Sequence, residues 1–232
     1  MFKTFLLALL VVSALGSFAV YTAIERIKEQ RQEASTSALN RQKPDIVVTL
    51  VEGWRQEEIA AKLDKEGVSD YDQFLRESAG KEGYLFPDTY RFFPNTPAKE
   101  VVEVLVANFQ QKTSSRPPTP ADLILASIIE REAQNEEDRV LISGVYTNRL
   151  KIGMKLDADP TVQYGKDSLA YLQTKNPSAF KFWMPITQAE YQTIISSYNT
   201  YLNTGLPPAP IANPGLKSIE AAQIPARHNF LF

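Results

Sequence analysis

The sequence contains no cysteine. That absence excludes disulfide staples, thiolate metal sites and a cysteine nucleophile together. Histidine is almost as scarce. His228 stands alone, so a His-rich metal site cannot form, and a Ser–His pair would have to draw on this one residue. An excess of one charge is missing too: 25 Lys and Arg face 27 Asp and Glu, a net charge of -2. With no block of like charge, the basic footprint of a nucleic-acid binder is absent. Nor is the composition that of a disordered or collagen-like chain. At 232 residues, 44% hydrophobic and 22% charged, it suits one good core plus a smaller module. No internal repeat is visible.

One long apolar run is present. "FLLALLVVSALGSFAVYTAI", Phe5 to Ile24, carries no charge. At helical rise it matches a hydrocarbon core about 30 Å thick. A cleaved secretory signal is the competing reading, because Ala14-Leu15-Gly16 offers small residues at the cleavage spacing. The apolar run continues well past that point, which favours a membrane anchor over residues 1–24. Either reading exports the remainder of the chain, in keeping with the lack of cysteine. Residues 25–44 read as a helical extension followed by a polar tether, spanning at most roughly 70 Å. The folded part is therefore expected to work near a membrane.

In residues 45–80, Ile46 to Val51 reads as a strand. Ile59, Ala60 and Leu63 recur at helical spacing before a stop at Gly67. Tyr71, Phe74 and Leu75 mark a second short helix. Strand, helix, helix is the pattern of LysM-like carbohydrate-binding modules, and equally of a plain packing subdomain. "EGYLFPDTYRFFP" then crowds aromatics into a short span, with Phe86 expected in the core and Tyr84 or Tyr90 near a ligand. "TPAKEVVEVLVANFQQK" reads as an amphipathic helix with Val101, Val104, Leu105 and Phe109 on its apolar side.

"TPADLILASIIEREAQ" has a clean helix start: Thr119 to cap, Pro120 at the first position, Asp122 in the first turn. Stepping about 100° per residue, Ile124, Leu125, Ile128 and Ile129 define the apolar arc. Glu132 falls at its middle and Glu130 near its more exposed edge, while Ser127, Arg131 and Gln134 form the outward stripe. A carboxyl turned toward apolar neighbours has its charged form disfavoured, which suits a general acid. The competing reading is an ion pair with Arg139, Arg149 or Lys151. Asn135 and Asp138 restart the chain into a helix ending near Gly153. Beyond it a loop-rich region is expected, then a last short helix in "GLKSIEAAQIPA".

Taken in order, "EGYLFPDTYRF", "ASIIEREA", "NRLKIGMKLDADPTVQYG" and "YNTYLNTGLPPAPIANPG", behind the apolar N-terminus, resemble the membrane-bound endolytic murein transglycosylase (YceG-like) family from about residue 45 to 228. The resemblance implies an α+β fold: a transmembrane helix, a small LysM-like module, and a mixed catalytic domain over 81–232 with a helix-borne glutamate in a groove. It implies an enzyme on the outer face of the bacterial cytoplasmic membrane that cuts nascent glycan strands internally. The products carry 1,6-anhydromuramyl ends, and no cofactor or metal is needed. The family's catalytic acid is the second of its "E-K-E" motif, here Glu132, the residue the helical wheel selects by itself. The resemblance implies Glu130, Asp159, Thr161, Tyr198, Asn199, Tyr201 and Asn213 as substrate-binding residues, with Tyr198 expected ahead of Tyr201; Tyr84, Asp88 and Tyr90 join them as candidates from the aromatic-rich segment. Glycan strands and the membrane are the expected partners, with peptidoglycan synthases nearby by analogy alone. Two departures stand out: the chain stops at "HNFLF", where family members often continue, which would expose a strand edge, and only one LysM-like module fits, which bears on substrate grip. A hydrolase using Asp157, Asp159 or Asp88 as second carboxylate, and a silent glycan-binding scaffold, stay open.

Overall fold

The structure, a computed structural model, describes residues 21–32 and 46–232. Residues 21–32 form helix α1. The expected anchor lies outside the described residues but for positions 21–24, and so does the tether beyond residue 32. Among the described residues no helix is long and apolar enough to cross a membrane. The chain divides into two units, Met1–Asp45 and Ile46–Phe232. The second is helix-rich with a small sheet, an α+β arrangement.

Its β-branched opening forms β1 (Ile46–Thr49), paired antiparallel with β2 (Thr89–Phe92), Val48 opposite Tyr90. Strand alternation sends Val48, Tyr90 and Phe92 inward and leaves Val47 exposed. Between the strands lie α2 (Gln56–Lys65) and α3 (Tyr71–Glu77). The Arg55 N–H donates to Glu58 at the start of α2, and Asp70 caps α3 by accepting from the Gln73 N–H at 2.9 Å. Gly67, at φ +73°, turns the chain after α2 in the left-handed region. α4 (Ala98–Lys112) covers the group with Val101, Val102 and Leu105, while Val104 faces solvent. The hydrophobic cluster of the strand–helix–helix segment therefore does not stop at residue 80: it takes in Tyr90, Phe92, Val101 and Leu105. A lone strand with two short helices buries too little, and β2 and α4 supply the rest.

The second cluster forms around α5 (Pro120–Glu132). Thr119 and Asp122 make the reciprocal cap: the Asp122 N–H donates to Thr119 Oγ1 at 3.2 Å, and the Thr119 N–H donates to Asp122 Oδ2 at 2.8 Å. α6 (Glu136–Lys151), α7 (Asp159–Tyr171) and α9 (Leu216–Gln223) pack on α5. A 3₁₀ turn (Pro177–Ala179) and the one-turn α8 (Glu190–Thr193) lie in the long connection between α7 and α9. Because helices surround α5, its burial is nearly all-round. Leu123, Ile128 and Ile129 are fully enclosed, each worth roughly 1.5–3 kcal/mol of transfer free energy. Ser127, expected on the outward stripe, is buried as well; its hydroxyl donates to Ile124 O and accepts from the Ile211 N–H. The loop expected at Asp159-Pro160-Thr161 is instead the first turn of α7. Proline's fixed φ and missing N–H suit a helix start as well as a turn.

Candidate active site

α5 ends at Glu132, because Ala133 is already extended at ψ 133°. The carboxyl thus sits at the negative end of the helix dipole, partly buried. Burial raises it above the usual carboxylate range, and the nearby Asp159 charge adds to this; the helix dipole acts in the same direction. Two donors pull the other way: the Tyr146 hydroxyl, 3.2 Å from Glu132 Oε1, and the Asp159 backbone N–H. The net direction is upward, with burial the largest cause.

Glu132 lines a cavity of about 560 Å³. On its polar side stand Tyr146, Arg149, Asp157 and Asp159; its apolar side includes Ile142, Leu156 and Phe230. Asp159 is held firmly, its Oδ1 accepting from Tyr201 at 2.7 Å and its Oδ2 from Tyr191 at 3.1 Å, with those two rings stacked at 4.3 Å. Arg149 donates to Leu156 O and lies 3.7 Å from Asp157, which fixes the turn entering α7. A second cavity of about 670 Å³ lies between α6 and the tail after α9, and no carboxylate lines it. Among the described residues no cluster of three His, Cys, Asp or Glu could hold a metal ion.

Glu130 differs from the expectation of an exposed edge. Its side chain is only 5% exposed, accepting from Arg139 at 3.2 Å and from the Gly215 N–H at 2.9 Å. The ion pair considered for Glu132 is thus realised at Glu130, where it ties α5 to α6 and to the start of α9. Arg131, the next side chain, lies over the Trp183 ring at 4.0 Å.

Among the implied binding residues only Asp159 lines the cavity with Glu132. Tyr201 bonds to Asp159, and the others stand elsewhere. Tyr198 packs on Tyr164 at 4.5 Å, so Tyr201 is the tyrosine that reaches the acid's neighbourhood. Thr161 is buried, bonded to Ala158 O and Thr200; Asn199 pins the 191–201 turn through Tyr191 O and Ile194 O. Tyr84 meets Phe109 edge-on at 5.2 Å, and Tyr90 is buried with its hydroxyl on Phe86 O. Asp88 feels burial, but its bonds to Lys112, Asn108 and the Thr89 N–H prevail and hold it below the usual range. Asn213 is fully buried with its amide spent: it donates to Trp54 O and Glu82 and accepts from the Gly83 and Leu85 N–H groups.

Sequence reasoning missed Tyr146, Tyr191 and Phe230, and weighed Arg149 only as a partner for Glu132. A signal existed on α6, where Ile142, Tyr146 and Arg149 recur at helical spacing and share the face that lines the cavity.

The sequence profile of the YceG-like family matches residues 18–232. The endolytic murein transglycosylase of Bacillus subtilis is 37% identical over 166 residues, covering 65% of this chain and 41% of the relative. That of Streptococcus pneumoniae is 33% identical over 149 residues, 61% of this chain and 25% of the relative. The chain thus spans less than half the length of either. The crystal structure of a yceG-like protein from Listeria monocytogenes superposes with a TM-score of 0.63 at 26% identity, over 90% of this chain and 74% of that one. With the profile matched across nearly all of its length, the chain belongs to the YceG-like family.

Proposed function

We propose that the chain is an endolytic peptidoglycan lytic transglycosylase in which Glu132 serves alone as general acid and then general base. The observation that carries this reading is one partly buried carboxyl, raised above its usual range, facing a sugar-sized cavity. Protonated Glu132 gives its proton to the oxygen joining N-acetylmuramic acid to N-acetylglucosamine. The C1–O bond breaks with its electron pair on the leaving sugar, and oxocarbenium character develops at C1. The muramyl 6-hydroxyl then attacks C1 and passes its proton to the Glu132 carboxylate. A 1,6-anhydro end forms and Glu132 returns to its starting state. The names of the two relatives support the same reaction.

A muramidase-type hydrolase calls for a second free carboxylate at a defined separation. Asp159 is the one nearest in the chemistry, yet both of its oxygens accept tyrosine hydroxyls. Asp157 lies against Arg149, and Asp88 is tied to Lys112. A silent scaffold would have no use for a raised acid in an open cavity.

The remaining readings rest on sequence. The uncharged Phe5–Ile24 run supports a single-pass anchor in the bacterial cytoplasmic membrane, with the catalytic part on its outer face. The strand–helix–helix pattern of 45–80 supports a LysM-like grip on glycan, and synthases of the same strands are proposed neighbours by analogy.

Mass spectrometry of the products released from peptidoglycan by the purified chain tests the proposal. Anhydro ends are the expected result. Reducing ends would turn the reading to a hydrolase, and intact strands to a scaffold.

A further inference from the structure

The tail after α9 runs back along α6 and is anchored residue by residue. The Ala226 N–H donates to Val140 O at 3.0 Å. Asn148 Nδ2 donates to His228 O at 2.7 Å and to Phe230 O at 3.1 Å, and Arg149 Nε to Leu231 O. His228 Nδ1 accepts from the Phe230 N–H at 3.1 Å, which leaves Nε2–H to face Leu141 O at 3.2 Å. So close an approach needs Gly144 beneath it: a Cβ there would stand 2.4 Å from His228 Nε2 and 2.6 Å from Ala226 O. The same Arg149 that holds the tail also fixes the Leu156–Asp157 turn leading to Asp159, whose N–H donates to Glu132.

This strap carries Phe230 to the cavity that Glu132 lines. The ring is backed by His228 in a stack at 4.7 Å and 28°, yet it stays 62% exposed. A large aromatic fixed from behind and left bare beside an acid is poised for a ligand with an apolar face. A pyranose ring has one, where its axial C–H bonds line up. We propose that Phe230 is the stacking platform for a sugar ring next to the cleaved bond, and that the tail's docking on α6 holds it there. The proposal rests on the glycan-cleaving reading above and assigns the subsite that reading lacks.

The test uses the full chain carrying Glu132→Gln, so that binding is read without turnover. The probe is a GlcNAc–MurNAc tetrasaccharide, followed by calorimetry and by saturation-transfer NMR. Adding Phe230→Ala is expected to weaken binding about tenfold, in line with the loss of one aromatic stack. Phe230→Trp is expected to hold affinity within about threefold. Gly144→Ala keeps a good helix former in α6 while lifting the tail, and is expected to match Phe230→Ala. Unchanged affinity in Phe230→Ala overturns the platform, and so does an equal loss in Phe230→Trp. A loss in Gly144→Ala without one in Phe230→Ala overturns it as well. If Phe230→Ala is neutral while the parent chain still leaves anhydro ends, only the platform falls. If the parent neither binds nor cleaves glycan, the functional reading falls with it.

Discussion

Glu82 and Glu132 are both raised by burial, yet one meets protein on every side and the other meets a cavity. Burial, with the Glu57 charge beside it, pushes Glu82 up to about 8 against the pull of Arg55. It accepts from the Gln56 N–H and from Asn213, and Asn213 in turn staples residues 53–54 and 83–85 to the segment before α9. Close by, Arg55 is 2% exposed, paired with Glu57 and laid over the Tyr164 and Phe182 rings at 4.1 and 4.5 Å. That network is largely buried, with Glu57 8% and Glu82 9% exposed. Glu132 also has two donors, the Tyr146 hydroxyl and the Asp159 N–H, but it lines a cavity. A perturbed acid marks chemistry only where substrate has access; elsewhere it marks a joint.

The contrast breaks most sharply at Glu132. Glu132→Gln should lower kcat by about 10²–10⁴-fold with the fold intact, the range for a general acid. Glu130→Gln should keep most of kcat while losing stability, because it weakens the bond to Arg139. Glycan-release rates with thermal unfolding of both variants decide it; the reverse pattern would move the acid to Glu130.

The joint should fail differently. Asn213→Ala strands the Gly83 and Leu85 N–H groups and takes a donor from Glu82. It should cost about 2–4 kcal/mol in denaturant unfolding, with kcat per folded molecule little changed. A variant of full stability would show that the staple carries little.

Tyr146→Phe tunes the open acid. Its hydroxyl favours the charged form of Glu132, so removal raises that carboxyl further and moves the alkaline limb of the pH–rate profile to higher pH. A drop of about tenfold in kcat should accompany the shift, as the carboxyl loses its orientation. A downward shift would contradict the bond.

Glu82→Gln probes the closed acid by pH. A group raised in the folded state contributes fully below its unfolded value and loses that contribution as pH rises through about 8. Stability of the parent should therefore fall between about pH 4.5 and 8, by at most about 1.4 kcal/mol per pH unit, and the variant should flatten that fall. Equal slopes in unfolding experiments would mean that Glu82 is charged throughout.

Local signals were legible where they depend on neighbours in the chain. The Thr119–Asp122 cap, the Asn135 start of α6, the Gly67 stop and the short α9 all formed as the residues suggested. The wheel also turned Glu132 toward the packed side. It misjudged Glu130 and Ser127 because it assumes one wet face, and α5 has almost none. Asp-Pro at 159–160 reads as turn or helix start alike, and only packing against α5 selects the helix.

Composition by itself removed thiol, His-metal and nucleic-acid chemistry, and local pattern placed an acid on a buried helix; both depend on residue type and short-range periodicity. Tertiary structure alone decided which acid is clamped and which is free, since Arg139, Gly215, Tyr146 and the Asp159 N–H reach α5 from other elements. It also separated Tyr201 from Tyr198 and brought Phe230 to Glu132, because distances across the fold follow from packing and not from spacing along the chain.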